Sequence, residues 1–266
     1  MATEIAIWAL FGLGILTLLG VFSHWLLNNP RGTVDGGLIF HVTRIYSLWF
    51  HRLKVEGKEH IPASRHPGAH IVVMNHTAGV DPVLVQAICP FFVRYVMAED
   101  MRLAKAEWLW QWSTVIFVDR VKRSAHGTRD AVRHLVEGGV LGIFPEGGLE
   151  RPSRHILAFE PGVGLLIRRT GATVIPIIIE GTPQVDPAWA SLWTRSHSRL
   201  RVMEPISYRG SKLSAEEIAK DLQRRFVSWT GWPVLEPSEQ EGDVESAAAP
   251  AKADRAERRQ PAAGAA

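Results

Sequence analysis

HIVVMNHTAGVDPVLVQAI, residues 70–88, is the stretch on which the fold turns. HIVVM is a short apolar run of strand length. VLVQAI is apolar at helical spacing, and only NHTAGVDP, residues 75–82, separates the two. A strand that hands over to a helix this quickly is half of a βα unit. Working outward, the same alternation recurs. Strands are expected at 93–97, 114–118, 141–144, 173–179 and 200–203, and helices near 82–88, 106–112, 125–137, 162–169 and 215–229. The last helix opens Ser214-Ala215-Glu216-Glu217, a capping-box start. The alternation predicts an α/β domain built on a single mostly parallel sheet flanked by helices. The continuous apolar run VIPIII suits a strand covered on both faces. In such sheets ligands collect at the carboxyl ends of the strands. His76 falls at a strand's end and Asp81 at a helix's start.

Toward the amino terminus the pattern changes. Residues 5–27 carry no Asp, Glu, Lys or Arg. Crossing a bilayer takes about 20 apolar residues, so residues 1–30 read as a transmembrane anchor. A cleaved signal peptide would want a basic leading segment, and MATE has none. Arg31, Arg44, Arg52, Lys54 and Lys58 follow the segment, which predicts that the rest of the chain faces the cytoplasm. Within residues 31–56, Val42, Ile45, Tyr46, Trp49 and Leu53 recur at helical spacing. That segment reads as an amphipathic helix and linker, lying in the headgroup layer or packed on the domain. Residues 57–235 read as the α/β domain. Residues 236–266 are rich in Ala, Pro, Glu and Arg without any aromatic residue, and read as a disordered tail.

Composition narrows the function. The 266 residues carry a net charge of +3, too little to indicate nucleic acid. A single cysteine, Cys89, excludes an internal disulfide and leaves no thiolate pair for structural zinc. It sits in AICPFF and reads as a buried small hydrophobe.

A histidine whose far ring nitrogen meets a carboxylate is a general base, and Gly79 lets the loop fold so that His76 and Asp81 could meet. Each part has a plainer reading. Asp81-Pro82 is also an ordinary helix start, and among 11 histidines a His-x4-Asp spacing arises readily by chance. Arg120 lies in the charge run DRVKR, Glu146 in a Pro-Glu-Gly-Gly turn, and Pro176 could mark a strand edge or bulge. Trp108, Trp110 and Trp112 could pack the domain or line an acyl channel.

Taken in order, four blocks say more. His-x4-Asp after an apolar strand resembles the first motif of the glycerolipid acyltransferase family, of the 1-acylglycerol-3-phosphate acyltransferase type. TVIFVDR (114–120), FPEG (144–147) and VIPI (174–177) are similar to its later blocks, and the resemblance spans about residues 54–207. It implies a glycerol-3-phosphate acyltransferase-like fold. It also implies transfer of a fatty acyl group from acyl-CoA or acyl carrier protein to the free hydroxyl of 1-acyl-glycerol-3-phosphate, giving phosphatidic acid. His76 would be the base and Asp81 its orienting partner. Arg120 would hold the acceptor's phosphate, Glu146 and Gly147 would shape the acceptor pocket, and Pro176 would help form the acyl-donor side. The expected partners are a lysophospholipid, a thioester donor and a membrane surface, with no nucleic acid, metal or bound cofactor. The chain departs from the family pattern at Thr114, where glycine is usual, and at Gly148-Leu149-Glu150, where Thr-Arg-Ser is common. Arg151 is the nearest substitute for that arginine, with Lys105, Lys122 and Arg123 as other candidates. The departure brings in other acceptors, such as a lyso-aminolipid. A catalytically silent lipid-binding protein on the same fold is a further rival, against which His76 and Asp81 together argue.

Overall fold

The computed structural model describes residues 1–102, 104–118 and 125–235. β1 (Lys54–Glu56), β2 (His70–Met74), β3 (Val93–Ala98), β4 (Ile116–Val118), β5 (Val140–Ile143), β6 (Thr173–Glu180) and β7 (Arg199–Val202) form one sheet, ordered β1-β7-β6-β2-β5-β3-β4. β2 to β6 run parallel; β7 is antiparallel to β6 and parallel to β1. This is the mostly parallel sheet that the alternation predicts. β1 was not anticipated, because three residues are too few to show a period. β4 begins two residues later than expected, because Thr114 closes the preceding helix in a left-handed conformation, φ 50°.

The helices are α1 (Ala2–Leu27), α2 (Val34–Trp49), α3 (Asp81–Ile88), α4 (Glu107–Ser113), α5 (Ala125–Val136), α6 (Pro161–Thr170) and α7 (Ala215–Thr230). The pleat divides the strand residues between two cores. Ile71, Val73, Leu141, Val174 and Ile178 pack against Leu135 of α5, Ile167 of α6 and Phe226 of α7. Val72, Met74, Ile175, Ile177 and Ile179 face the other way, toward Leu84 and Val85 of α3. With both faces dry, β6 buries six consecutive residues, which is why its sequence does not alternate. Ser214 and Glu217 form the expected capping box on α7.

α1 buries none of its residues, and it is long and apolar enough to cross a membrane. It turns back into α2 at a close crossing: a Cβ on Gly37 would stand 1.9 Å from the Leu26 carbonyl oxygen. His41 stacks on Trp25 at 3.8 Å between ring centroids. α2 packs on the domain along one side only. One side packs on α3 and buries Gly36, Gly37 and Ser47. The other exposes Val34, Leu38, Val42, Ile45 and Trp49. Arg120, Lys122, Arg123 and the tail at 236–266 lie outside the described residues.

Candidate active site

β2 and β5 are parallel neighbours, so the residues just past their carboxyl ends meet at one edge of the sheet. His76 and Phe144 stand there side by side, their rings stacked at 4.0 Å between centroids and 22° between planes. Asn75, directly before His76, is fully buried. Its side-chain amide donates to the Ile179 carbonyl at 3.0 Å and accepts from the Ile179 N–H at 2.8 Å. That pair continues the β2–β6 pairing by one side chain and fixes where the loop that carries His76 leaves the sheet.

The loop then closes on Asp81. His76 Nδ1 lies 3.0 Å from Asp81 Oδ2, and the backbone N–H groups of Thr77 and Ala78 donate to the same oxygen at 2.7 and 2.8 Å. Thr77 Oγ1 donates to Asp81 Oδ1 at 3.1 Å and is also bonded to Thr182 Oγ1. The Asp81 carboxylate therefore faces back into the loop. It does not cap α3, which has no side-chain cap, and the plain helix-start reading fails on this point. Gly79 is required because a Cβ there would meet the Ala188 carbonyl oxygen at 2.6 Å. Asp81 is 0% exposed and His76 21% exposed. A carboxylate accepting from Nδ1–H selects the tautomer that leaves a lone pair on Nε2. Nε2 makes no hydrogen bond to any described residue, so the exposed edge of the ring is free to take a proton.

The FPEG segment turns tightly, with Gly147 N–H donating to the Phe144 carbonyl at 3.2 Å and Gly147 at φ 67°. Glu146 is buried, and neither carboxyl oxygen makes a hydrogen bond among the described residues; the backbones of His76 and Leu157 lie near it without completing one. Burial, then the neighbouring Glu150 and Asp81 charges, hold the Glu146 carboxyl well above its usual range. Glu150 is buried too and is raised chiefly by desolvation. Its N–H donates to the His76 carbonyl at 2.7 Å, and its carboxylate accepts from Arg154 N–H and Gln184 Nε2.

Arg151 is brought to the site in an unexpected role. Its Nη1 donates to the Thr77 and Glu150 carbonyls at 3.1 and 2.7 Å, so part of its fork already clamps the catalytic loop. Pro176 is not brought to the cluster. It lies inside β6 opposite Val73, and the pleat turns it toward the α5–α7 layer, away from the face that carries Met74 and Phe144. The bulge reading fits it better. Ile177 faces Val202 but Val174 faces Ile206, so one extra residue opposes the segment around Pro176, where the missing N–H would break the ladder. Arg120 lies outside the described residues.

Asn75, Thr77, Thr182, Glu150 and Gln184 complete the constellation, and sequence reasoning missed their contacts. Only Asn75 carried a signal, as a polar residue ending an apolar strand. The tryptophans divide: Trp110 is buried against Phe117 and Trp189, Trp112 donates to Asp35, and Trp108 is exposed. Cys89 is buried and its thiol is pushed up to about 12, which makes it inert. Among the described residues no His, Cys, Asp and Glu group could hold a metal ion.

Comparison with known proteins agrees with this geometry. Residues 52–180 match the family model described as Acyltransferase. The chain is 25% identical over 193 residues to a 1-acyl-sn-glycerol-3-phosphate acyltransferase of Borreliella burgdorferi, covering 66% of this chain and 75% of that one. A chloroplastic 1-acyl-sn-glycerol-3-phosphate acyltransferase of Arabidopsis thaliana is 24% identical over 165 residues, 61% of this chain and 45% of that one. The fold is shared with the crystal structure of the 1-acyl-sn-glycerophosphate acyltransferase from Thermotoga maritima. There the TM-score is 0.59 at 24% identity, over 72% of this chain and 77% of that one. The four ordered blocks and the comparisons point to the same family.

Proposed function

We propose that this chain, which carries an acyltransferase-family domain at residues 52–180, moves a fatty acyl group from acyl-CoA or acyl carrier protein to the free hydroxyl of 1-acyl-glycerol-3-phosphate, giving phosphatidic acid. The observation that carries this reading is the 3.0 Å contact of His76 Nδ1 with buried Asp81, which leaves Nε2 without a hydrogen bond among the described residues. In the proposed reaction Nε2 takes the hydroxyl proton as the oxygen attacks the thioester carbonyl. The tetrahedral intermediate collapses, the C–S bond breaks, and the thiolate leaves with the proton returned by the imidazolium. Asp81 stabilises that imidazolium. Phe144 holds the ring plane. Glu146 and Gly147 shape the acceptor pocket, and Arg120 holds the acceptor's phosphate. A thioester and a hydroxyl complete the chemistry without metal or redox cofactor. α1 anchors the chain, and the catalytic domain lies on the cytoplasmic side.

One observation favours a second acceptor, a lysolipid without the phosphate, such as a lyso-aminolipid. Leu149 leaves the third block without its usual arginine, Arg151 is partly engaged by the catalytic loop, and Glu146 and Glu150 are buried nearby. Both readings meet in one experiment. Purified protein receives a labelled acyl thioester and a panel of lysolipids, beside His76→Ala. Turnover should fall by about 10²–10⁴ in the variant, with the phosphorylated acceptor preferred. A phosphate-free preference selects the second acceptor, unchanged turnover in His76→Ala removes the mechanism, and binding without any turnover identifies a silent lipid-binding protein.

A further inference from the structure

The outer, apolar side of α2 ends at Trp49, which is 81% exposed. Trp193, two residues before Arg195 at the end of the short helical turn Ala188–Trp193, is 82% exposed. The end of α2 and this turn are tied together. Tyr46 of α2 donates its hydroxyl to the Leu192 carbonyl. His51, fully buried, bridges Tyr46 Oη at 2.7 Å and Ser196 Oγ at 2.6 Å. The corner is therefore a built part of the domain.

A cleft of about 550 Å³ opens here, lined by Leu48, Trp49, Phe50, Arg52 and Arg195. Arg52 has φ 45°, a left-handed backbone that a non-glycine residue adopts at a cost of about 1 kcal/mol or more. Neighbouring backbone bonds hold it there: Ser198 N–H donates to the His51 carbonyl and Lys54 N–H to the Ser198 carbonyl, both at 2.9 Å. The conformation delivers the Arg52 guanidinium beside His197, at 2.7 Å from Nε2. The Arg195 guanidinium lies 5.7 Å above the Phe50 ring. Neither arginine forms an ion pair among the described residues. Two guanidinium groups without a carboxylate partner among the described residues, one of them over the Phe50 ring, complement a phosphate diester, which offers charge to the forks and glycerol to the ring. The surroundings identify the source as a membrane lipid, because the same walls continue into the exposed apolar side of α2 and from there into α1. Exposed tryptophans beside arginines are the composition of a membrane–water interface.

We propose that this cleft seats the headgroup of an anionic phospholipid of the bilayer, with Trp49 and Trp193 inserted in the same leaflet. The site would do more than add adhesion. The turn bearing Trp193 also meets the catalytic loop, since the Ala188 carbonyl leaves room only for glycine at position 79. A lipid in the cleft thus fixes the catalytic edge of the sheet against the membrane from which an acyl acceptor would come. The proposal shares only the membrane anchor with the proposed activity.

The test reads lipid retention and needs no turnover. The full chain is placed in nanodiscs of mixed phosphatidylcholine and phosphatidylglycerol, released, and its retained lipids counted by native mass spectrometry. The expected result is preferential retention of phosphatidylglycerol. That preference should drop on the order of tenfold in Arg52→Gln/Arg195→Gln, which is about 1.4 kcal/mol. It should persist in Arg168→Gln/Arg169→Gln, which removes the same charge from exposed positions on α6. The proposal is overturned by equal retention of both lipids in the parent chain. It is also overturned by an unchanged preference in Arg52→Gln/Arg195→Gln, or by equal loss in both double variants, which would show an effect of net charge alone.

Discussion

At the scale of single residues the site rests on one oxygen. Asp81 Oδ2 receives the His76 ring and two backbone N–H groups. Asp81→Asn cannot reproduce this fully: its carbonyl oxygen can take the Oδ2 position, but its NH2 then stands where Oδ1 accepts from Thr77 Oγ1, and the negative charge is lost. It should therefore lower both turnover and melting temperature, the latter through about 1–3 kcal/mol of unsatisfied buried groups. His76→Ala should lower turnover while leaving melting nearly unchanged, so the pair of variants separates orientation from chemistry. Glu146 gives a pH prediction. Its carboxyl sits well above the usual 4.5 because burial disfavours the charge. Between those two values the folded chain holds a proton that the unfolded chain has released, so stability falls as pH rises through that window. Glu146→Gln removes the titration. Thermal melts from about pH 5 to 8 should decline less steeply in the variant than in the parent chain; identical slopes would show that Glu146 is not the group responsible.

At the scale of elements, close approach matters more than propensity. α6 and α7 pack so tightly that a Cβ on Gly164 would stand 1.9 Å from the Ala215 carbonyl oxygen. Gly164→Ala improves helix propensity yet should cost about 1–3 kcal/mol, because two helices must part. Ser214→Ala removes one half of the capping box a few residues away and should cost about 1 kcal/mol. Calorimetric melting of the two variants decides whether packing or capping dominates that layer. The reverse order, with Ser214→Ala the more damaging, would mean that α6 moves aside at little cost.

At the scale of the whole molecule, the domain is coupled to α1 through side chains. Arg31 follows α1, donates to the Trp112 carbonyl, and lies over the Phe92 and Trp112 rings at 4.1 and 4.2 Å. The proposed membrane span and the α/β domain are therefore docked at a defined place. The excess of Arg and Lys after α1 sets the expected orientation. A reporter fused after Tyr208 should be active in the cytoplasm; activity confined to the far side of the membrane would reverse the topology.

The sequence by itself determined the strand and helix order, the apolar α1 and the four blocks, because hydrophobic period and turn chemistry are local. Strands 70–74 and 173–179 were legible within a residue, since a strand buried on both faces has nothing polar to blur its ends. His76 and Asp81 were legible as a pair because they share one loop. Only the tertiary structure decided that the Asp81 carboxylate turns back to His76, that Asn75 pins the loop to β6, and that Glu150 and Arg151 grip it from the third block. It also turned Pro176 to the opposite face and brought Trp49, Arg52 and Arg195 to one cleft. Those contacts join residues up to 146 positions apart, and no local pattern records which distant atoms will be neighbours. They follow from the order of strands in the sheet and the layer each helix covers, which the chain settles only when it packs.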